Sequence, residues 1–195
     1  MIRTILSSVI ISLFCFSPDF PHKAAYANAP EADRGLSAFD KLSEAAQAAL
    51  VSKEAGTPTL ADTWMVAAAN PLAAEAGAAV LREGGSAADA MVAVHAVLGL
   101  VEPQSSGLGG GAFLVWYDAT SGMVTTLDGR ETAPLAVTPT LFQTDDGEPM
   151  GFWDAVVGGR SVGTPGTPML MEEAHARWGR AQWGGLFQTA ISLAE

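Results

Sequence analysis

An arginine flanked by two acids is the group in this sequence best suited to bind a ligand. Arg130 follows Asp128 and directly precedes Glu131, just after a predicted strand. The planar guanidinium offers paired N–H donors that can hold a carboxylate through two parallel hydrogen bonds, and a neighbouring acid can keep the arginine in one rotamer. Taken alone, such a triplet is more often a surface ion pair. These residue types indicate that the triplet binds an acid, and the triplet includes no nucleophile.

The remaining reactive side chains form no recognisable catalytic set. His22 lies in the N-terminal segment, His95 lies in an apolar helical stretch where we expect a hydrogen-bonded core position, and His175 lies on a polar helix. Glu172 and Glu173 lie near His175, but the spacing lacks a second histidine at a helical interval, which favours a solvated helix face over a metal site. Thr125 and Thr126 are adjacent in a predicted strand, so their hydroxyls point to opposite faces. We therefore predict no metal, no cofactor and no Ser/His/Asp or Cys/His arrangement here.

A glycine-rich turn at 105–111 precedes one of the predicted strands. A phosphate-binding loop would need Gly-Lys-Ser or Gly-Lys-Thr leading into a helix, whereas this turn has no lysine and leads into a strand. Close packing of backbone against backbone at the start of a core strand explains the glycines better.

Two helices come before the turn and must help to position Arg130. Asn70 is a suitable N-cap and is followed by proline, which predicts a helix over 71–83 that ends at a pair of glycines. Ser86 opens a second helix, with Asp89 three residues later where a capping box places an acid. This helix is predicted to run to about residue 101. It has almost no polar face, so it should be buried on most sides.

Extended segments and further helices complete the predicted order. The apolar run at 65–68 predicts a short buried strand, and alternation predicts a hairpin of strands at 112–117 and 123–127. The order of strand, two helices and hairpin does not alternate as in a dinucleotide-binding fold. The rest of the chain is assigned an extended piece, a helix and the start of another helix, at 155–162, 169–178 and 186–195.

The first part of the chain is expected to lie outside the main domain. Residues 1–29 combine a short basic start, an apolar run and small residues that favour signal-peptide cleavage after Ala27 or Ala29. The apolar run is too short for a comfortable membrane span. Residues 30–62 are predicted to be a polar leader with a short helix over 37–53. We therefore expect a periplasmic or secreted protein whose domain begins at about residue 63.

The composition indicates a globular protein and argues against two classes of binding partner. It is 49% hydrophobic, and the net charge of -11 is spread along the chain without forming a run. This balance argues against nucleic acid and anionic membranes as partners. Cys15 is the only cysteine and lies in the predicted signal peptide, so the mature chain has none to form a disulfide. Stability must come from a core.

Five motifs occur in order along the predicted domain. They are Ala-Asn-Pro at 69–71, Leu-Arg-Glu-Gly-Gly-Ser-Ala-Ala-Asp-Ala at 81–90, Glu-Pro-Gln-Ser-Ser-Gly-Leu-Gly-Gly-Gly at 102–111, Asp-Gly-Arg-Glu-Thr-Ala-Pro at 128–134 and Gly-Thr-Pro-Gly-Thr at 163–167. Together they make residues 65–195 resemble the start of the gamma-glutamyltransferase family, also called glutathione hydrolases.

The resemblance implies an α+β fold, the αββα sandwich of N-terminal nucleophile hydrolases, with only its N-terminal portion present. Members of that family are proenzymes that cleave themselves into a large and a small subunit. The new N-terminal threonine of the small subunit then attacks γ-glutamyl amides such as glutathione, and water or an amine takes the glutamyl group. The implied partners are a small γ-glutamyl substrate and the C-terminal small subunit of the same precursor.

The resemblance also assigns roles to two residues and leaves others outside the sequence. It matches Arg130 with the arginine that binds the substrate α-carboxylate, and it gives Glu131 a supporting role. The nucleophilic threonine lies beyond Glu195, so we expect the fragment alone to be inactive and poorly folded. Two alternatives remain open. One is a cephalosporin (glutaryl) acylase of the same fold, and the other is a non-catalytic exported protein that binds a glutamate-like ligand through Arg130.

Overall fold

The structure, a computed structural model, describes residues 42–195. The predicted signal peptide and the first part of the predicted leader lie outside the described residues. Two short 3-10 helices occur at Gly159–Ser161 and Trp183–Phe187. The helices and strands, in chain order, are α1 (Glu44–Glu54), α2 (Pro71–Arg82), α3 (Ala87–Val101), β1 (Ala112–Asp118), β2 (Met123–Gly129), α4 (Phe152–Val156), α5 (Thr167–Trp178) and α6 (Gln188–Ala194).

Helices α2 and α3 begin at the caps that the sequence predicts. The Asn70 side chain accepts a hydrogen bond from Leu72 N at 3.0 Å at the start of α2. At the start of α3, the N–H of Asp89 donates to the Ser86 hydroxyl at 3.2 Å, and the N–H of Ser86 donates to the Asp89 carboxylate at 2.8 Å. This reciprocal pair is a capping box, and it satisfies donors that a helix start otherwise leaves without partners. Both predicted helices are confirmed.

The two helices pack against each other through small side chains. A Cβ on Gly77 of α2 would lie 2.6 Å from a methyl of Val94, which shows how closely α3 approaches. Alanine and valine fill the contact, and the buried residues of this cluster are Ala73, Ala76, Ala93 and Val97. Helix α3 is therefore central, as its nearly continuous apolar sequence predicts.

Strands β1 and β2 form the predicted antiparallel hairpin, with Ala112 opposite Gly129 and Asp118 opposite Met123. One face packs on α5, where the ring of Trp116 stacks on that of Trp178 with centroids 4.5 Å apart. The opposite face carries apolar side chains that are exposed in the described part of the chain: Phe113, Val115, Tyr117 and Val124. The hairpin is thus apolar on both faces, and the described residues cover only one of them.

Two of the extended segments predicted from sequence are wrong. Residues 65–68 form no strand, and the described residues provide no neighbouring strand to pair with their backbone. Residues 155–162 contain the end of α4 and the 3-10 helix instead of an extended piece. Gly158 separates the two with a φ of +102°, a conformation that glycine adopts without steric cost. In both cases an apolar pattern alone does not make a strand, because a strand also needs a neighbouring strand to pair with its backbone.

Other element boundaries shift by a few residues. Helix α1 begins at Glu44 behind Ser43, whose hydroxyl accepts from Ala46 N at 3.3 Å, whereas the sequence predicted a helix over 37–53. The first residues of that prediction lie outside the described residues. Helix α5 begins at Thr167, two residues earlier than predicted, and the predicted last helix is divided into a 3-10 turn and α6.

A buried carboxylate joins α3 to the chain that follows α5. Asp89 is completely buried, and one of its oxygens accepts from the N–H groups of Ser86, Arg180 and Ala181 at 2.8, 2.8 and 3.1 Å. Burial raises the pKa of Asp89, but hydrogen bonds from these backbone groups outweigh burial, so the net pKa lies below its usual 3.8. A buried charge is tolerated here because backbone donors solvate it.

Replacing Asp89 with asparagine should lower the free energy of unfolding by about 1–3 kcal/mol, because a charged acceptor of several buried donors is removed. Asp118 offers a matched control, since its carboxylate accepts from a backbone N–H and a serine hydroxyl, but it is only half-buried at the end of β1 and these hydrogen bonds are exposed. Chemical denaturation of the D89N and D118N variants measures the difference. Equal, small effects would contradict a stabilising role for the buried carboxylate.

The same carboxylate should make stability depend on pH in the acid range. Because the folded-state pKa of Asp89 is depressed below 3.8, its stabilisation is present above that pH and is lost as pH falls through the folded-state value. Denaturation midpoints of the wild type and D89N should therefore converge on acidification. A gap between them that widens as pH falls would contradict this sign.

Candidate functional site

Arg130 lies immediately after β2, and each of its acidic neighbours holds a different part of it. The N–H of Arg130 donates to the Asp128 carboxylate at 2.9 Å, so Asp128 fixes the backbone. The guanidinium Nη1 lies 2.8 Å from Glu131 Oε2, so Glu131 forms the ion pair. The triplet predicted from sequence is thus real, but only one acid contacts the charged end of the arginine.

The Arg130 guanidinium retains donors for a ligand. Its side chain is 65% exposed, while that of Glu131 is 29% exposed. Among the described residues, no other ion pair or side-chain hydrogen bond engages Arg130. A guanidinium has five N–H donors, so one contact with Glu131 leaves enough of them for a bidentate contact with a carboxylate.

Three segments distant in sequence meet around Arg130. The carbonyl oxygen of Gly110 accepts from the N–H groups of Gly166 and Thr167, both at 3.1 Å, which attaches the glycine turn to the start of α5. Thr132 and Thr164 pair as an isolated antiparallel bridge, with Thr164 N donating to Thr132 O at 2.8 Å. The motifs at 102–111, 128–134 and 163–167 therefore form one structural unit.

Glycine is required in this unit because backbones approach too closely for a side chain. A Cβ on Gly166 would collide with the carbonyl oxygen of Gly129 and lie 2.7 Å from that of Arg130. A Cβ on Gly129 would lie 2.6 Å from Leu170 Cβ. The predicted packing of backbone against backbone is found at Gly111, where a Cβ would lie 2.7 Å from Glu131 N and 2.9 Å from Arg130 Cα, whereas a Cβ on Gly107 or Gly109 would meet nothing within 4 Å.

His175 is partly buried, with its side chain 23% exposed, so the predicted solvated helix face is only partly correct. Its Nε2 lies 3.0 Å from the carbonyl oxygen of Ala181 and 3.5 Å from Asp89 Oδ1. Its ring meets that of Trp183 edge-on at 5.1 Å. The chain that follows α5 folds back over this face of the helix, and the acidic neighbours in sequence gave no sign of that.

The other sequence candidates keep the roles expected of them only in part. His95 on α3 is half-buried, but its Nε2 has no hydrogen-bond partner within residues 42–195, so the expected partner is not found there. Thr125 is half-buried and Thr126 exposed, which confirms that their side chains point to opposite faces. Among the described residues, no hydrogen bond or ion pair joins any of these three side chains to Arg130.

Residues 42–195 contain no group of three or more His, Cys, Asp or Glu side chains that could hold a metal ion. In the same part of the chain, every helix is too short or too polar to cross a membrane. A surface groove lined by Pro165, Met169, Glu172, His175 and Trp183 lies along α5 and does not include Arg130. The exposed guanidinium of Arg130 at the end of β2 lies outside this groove.

Solved structures identify the class of fold. The gamma-glutamyltranspeptidase from Pseudomonas nitroreducens complexed with L-DON aligns with a TM-score of 0.65 and 37% identity, covering 70% of this chain and 40% of that one. The enzyme from Helicobacter pylori gives 0.66 and 36%, covering 71% and 39%. A cephalosporin acylase from Bacillus halodurans gives 0.54 and 28%, covering 70% and 26%. The fold is the N-terminal portion of the α+β, αββα sandwich of N-terminal nucleophile hydrolases.

Sequence relatives narrow this class to one family. The gamma-glutamyltranspeptidase family model matches residues 73–195. The glutathione hydrolase proenzyme of Bacillus subtilis (strain 168) is 44% identical over 131 residues, which are 67% of this chain and 22% of the relative. The proenzyme of Pseudomonas aeruginosa is 37% identical over 157 residues, 80% of this chain and 28% of that protein. The chain belongs to the gamma-glutamyltranspeptidase family and spans less than a third of these relatives.

Replacing Gly166 with alanine should destabilise the protein by about 1–3 kcal/mol, because the new methyl has no space beside the carbonyl groups of Gly129 and Arg130. Gly184 is the control, since a Cβ there would meet nothing within 4 Å. Unfolding curves of the G166A and G184A variants test the difference. A G166A protein as stable as G184A would show that the two backbones are not held in contact.

Proposed function

We propose that this chain is the N-terminal part of an exported gamma-glutamyltransferase, or glutathione hydrolase, precursor. The complete enzyme cleaves γ-glutamyl amides such as glutathione and its conjugates, and it transfers the glutamyl group to water, an amino acid or a peptide. Family membership supports the enzyme class, and relatives named as proenzymes support a precursor that is divided into subunits. The observation that carries the proposal is the exposed guanidinium of Arg130, held by Glu131 at the end of a core strand.

Arg130 binds the α-carboxylate of the glutamyl group in this proposal. A carboxylate matches the fork of the guanidinium, and a charged hydrogen bond of this kind contributes roughly 1.5–3 kcal/mol. Glu131 limits the rotamers of Arg130 before substrate arrives, so less conformational entropy is lost on binding. The α-carboxylate lies at the end of the substrate remote from the γ-amide that reacts. The contact therefore positions the substrate and takes no part in bond breaking.

The nucleophile is assigned to the small subunit, beyond Glu195. Its N-terminal threonine hydroxyl attacks the γ-carbonyl carbon while its own α-amine takes the proton, and the amine product leaves with that proton. The resulting glutamyl ester is then attacked by water or by an acceptor amine, which frees the threonine. This part of the precursor supplies substrate recognition and should have no activity alone.

The N-terminal assignments belong to the same proposal. Residues 1–29 act as the signal peptide that directs the precursor to the periplasm or the outside of the cell, residues 30–62 form a leader, and residues 63–195 begin the enzyme domain. Export suits a chain whose single cysteine lies in the signal segment.

A glutaryl acylase acting on cephalosporins is the second candidate. The similarity to the cephalosporin acylase from Bacillus halodurans, at 28% identity and a TM-score of 0.54, supports it. Arg130 could hold the free carboxylate of a glutaryl chain as well as that of a glutamyl group, since both present the same charge. The substrate α-amino group distinguishes them, because only the γ-glutamyl substrate carries it.

Expression of the complete precursor tests the proposed class. We expect two subunits on a denaturing gel and release of a chromogenic amine from a γ-glutamyl anilide. A larger kcat/KM for the corresponding glutaryl anilide would favour the acylase. One unprocessed band without release of either amine would defeat both enzyme assignments and favour a non-catalytic protein that binds a glutamate-like ligand.

Replacing Arg130 with lysine should raise KM for γ-glutamyl substrates on the order of tenfold or more, since lysine keeps the charge but loses the paired donors. Arg82 is a matched control, because it is also about half exposed and paired with a single glutamate, Glu75, at 3.0 Å. The R82K variant should keep the wild-type KM. Unchanged kinetics in R130K would remove the assignment of Arg130 to the substrate carboxylate.

A further inference from the structure

The glycine turn at 105–111 contacts the acid that pairs with Arg130, and we propose that Gly111 is a positioning residue for substrate binding. The absence of a side chain at this position allows the Glu131 carboxylate to lie against the turn and hold the guanidinium of Arg130. The inference rests on the proposed function, since it concerns how the substrate-binding arginine is oriented.

The three atoms nearest to a Cβ built on Gly111 all belong to the two residues of the ion pair. A Cβ at this position would collide with Glu131 Oε2, the oxygen that lies 2.8 Å from Arg130 Nη1. The same Cβ would lie 2.7 Å from Glu131 N and 2.9 Å from Arg130 Cα. Any side chain at 111 must therefore displace the carboxylate, the backbone that carries it, or both.

Space rather than backbone conformation explains the glycine at 111. Several described glycines have a positive φ, including Gly122 at the hairpin loop, but Gly111 is not among them. Alanine could adopt the Gly111 backbone conformation without the strain that a positive φ imposes. The remaining reason for glycine here is the volume that Glu131 occupies.

Gly163 also lies close to Glu131. A Cβ on Gly163 would lie 3.0 Å from Glu131 Cβ and 3.2 Å from the carbonyl oxygen of Thr132. Glu131 is therefore close to two glycines, and its Oε2, the oxygen nearest Arg130 Nη1, is buried. The contacts limit where the carboxylate can point, and through the ion pair they limit where the guanidinium can point.

The turn contains its own control for this requirement. A Cβ on Gly109 would meet nothing within 4 Å, and one on Gly110 would lie 3.6 Å from Glu131 Oε1, an ordinary contact. Glu131 therefore leaves no space for a side chain at position 111, whereas it leaves space at positions 109 and 110. A general need for a flexible turn would not distinguish these positions.

The test is the G111A variant of the complete precursor, assayed with a γ-glutamyl anilide beside G109A. We expect KM to rise on the order of tenfold in G111A with most of kcat retained, because a displaced guanidinium weakens binding while the reacting groups stay in place. G109A should keep the wild-type KM. Gel analysis and thermal unfolding of each variant report processing and folding separately from KM.

A double-mutant cycle shows whether Gly111 acts through Glu131. In an E131A background the collision with Oε2 is gone, so G111A should raise KM by a smaller factor than in the wild type. Equal factors in both backgrounds would overturn the positioning role. A processed G111A enzyme with wild-type KM would overturn it as well.

The G163A and R130K variants distinguish failure of the Gly111 proposal from failure of the proposed function. If G111A is not processed, the milder G163A decides, since its Cβ crowds Glu131 less. A raised KM in processed G163A supports the proposal, and an unchanged KM or failed processing overturns it. Wild-type kinetics in R130K would count against the proposed function itself, whereas a raised KM in R130K with a normal KM in G111A would defeat only the role of Gly111.

Discussion

Backbone crowding around Gly129 and Arg130 is the constraint on which the rest of the site depends. The glycine turn, the end of β2 and the start of α5 meet where a Cβ on Gly166 would overlap a carbonyl oxygen. The Gly110 carbonyl accepts hydrogen bonds from two N–H groups at the start of α5. Side chains larger than hydrogen at these glycines would push the two segments apart. Since these backbones cannot slide without breaking their hydrogen bonds, the path of the chain fixes the direction in which Arg130 leaves the strand.

The two ends of α5 are held by different chemistry. Its first N–H groups donate to Gly110, and the residues after its last turn donate to the buried carboxylate of Asp89. The helix also carries Trp178, whose ring stacks on that of Trp116 in the hairpin that directly precedes Arg130. One helix therefore connects the capping box of α3 with the candidate binding site.

The parts of the structure predicted from sequence are those determined by near neighbours. Caps at Asn70 and Ser86 depend on residues two or three positions away, and the hairpin depends on alternation across a short loop, so both were found. The strand predicted at 65–68 failed because a strand needs a partner elsewhere in the chain. Pairing depends on the fold, and an apolar run does not specify it.

The candidate site follows the same rule. Arg130 and Glu131 are adjacent, so their ion pair could be anticipated, whereas Asp128 was expected to contact the guanidinium and contacts the backbone instead. His175 was assigned to solvent from its acidic neighbours in sequence, yet Asp89, far earlier in the chain, lies beside it. The close approach of Gly111 and Gly163 to Glu131 also joins distant segments, and no local pattern indicates it.

The exposed apolar face of the hairpin agrees with a fold of which only the N-terminal portion is present. Phe113, Val115 and Tyr117 of β1 are 69%, 73% and 63% exposed, and a sheet apolar on both faces is stable only when both faces are covered. In an αββα sandwich the second sheet covers the face opposite the helices. The exposed apolar face of β1 is therefore the surface that the second sheet of this fold would cover.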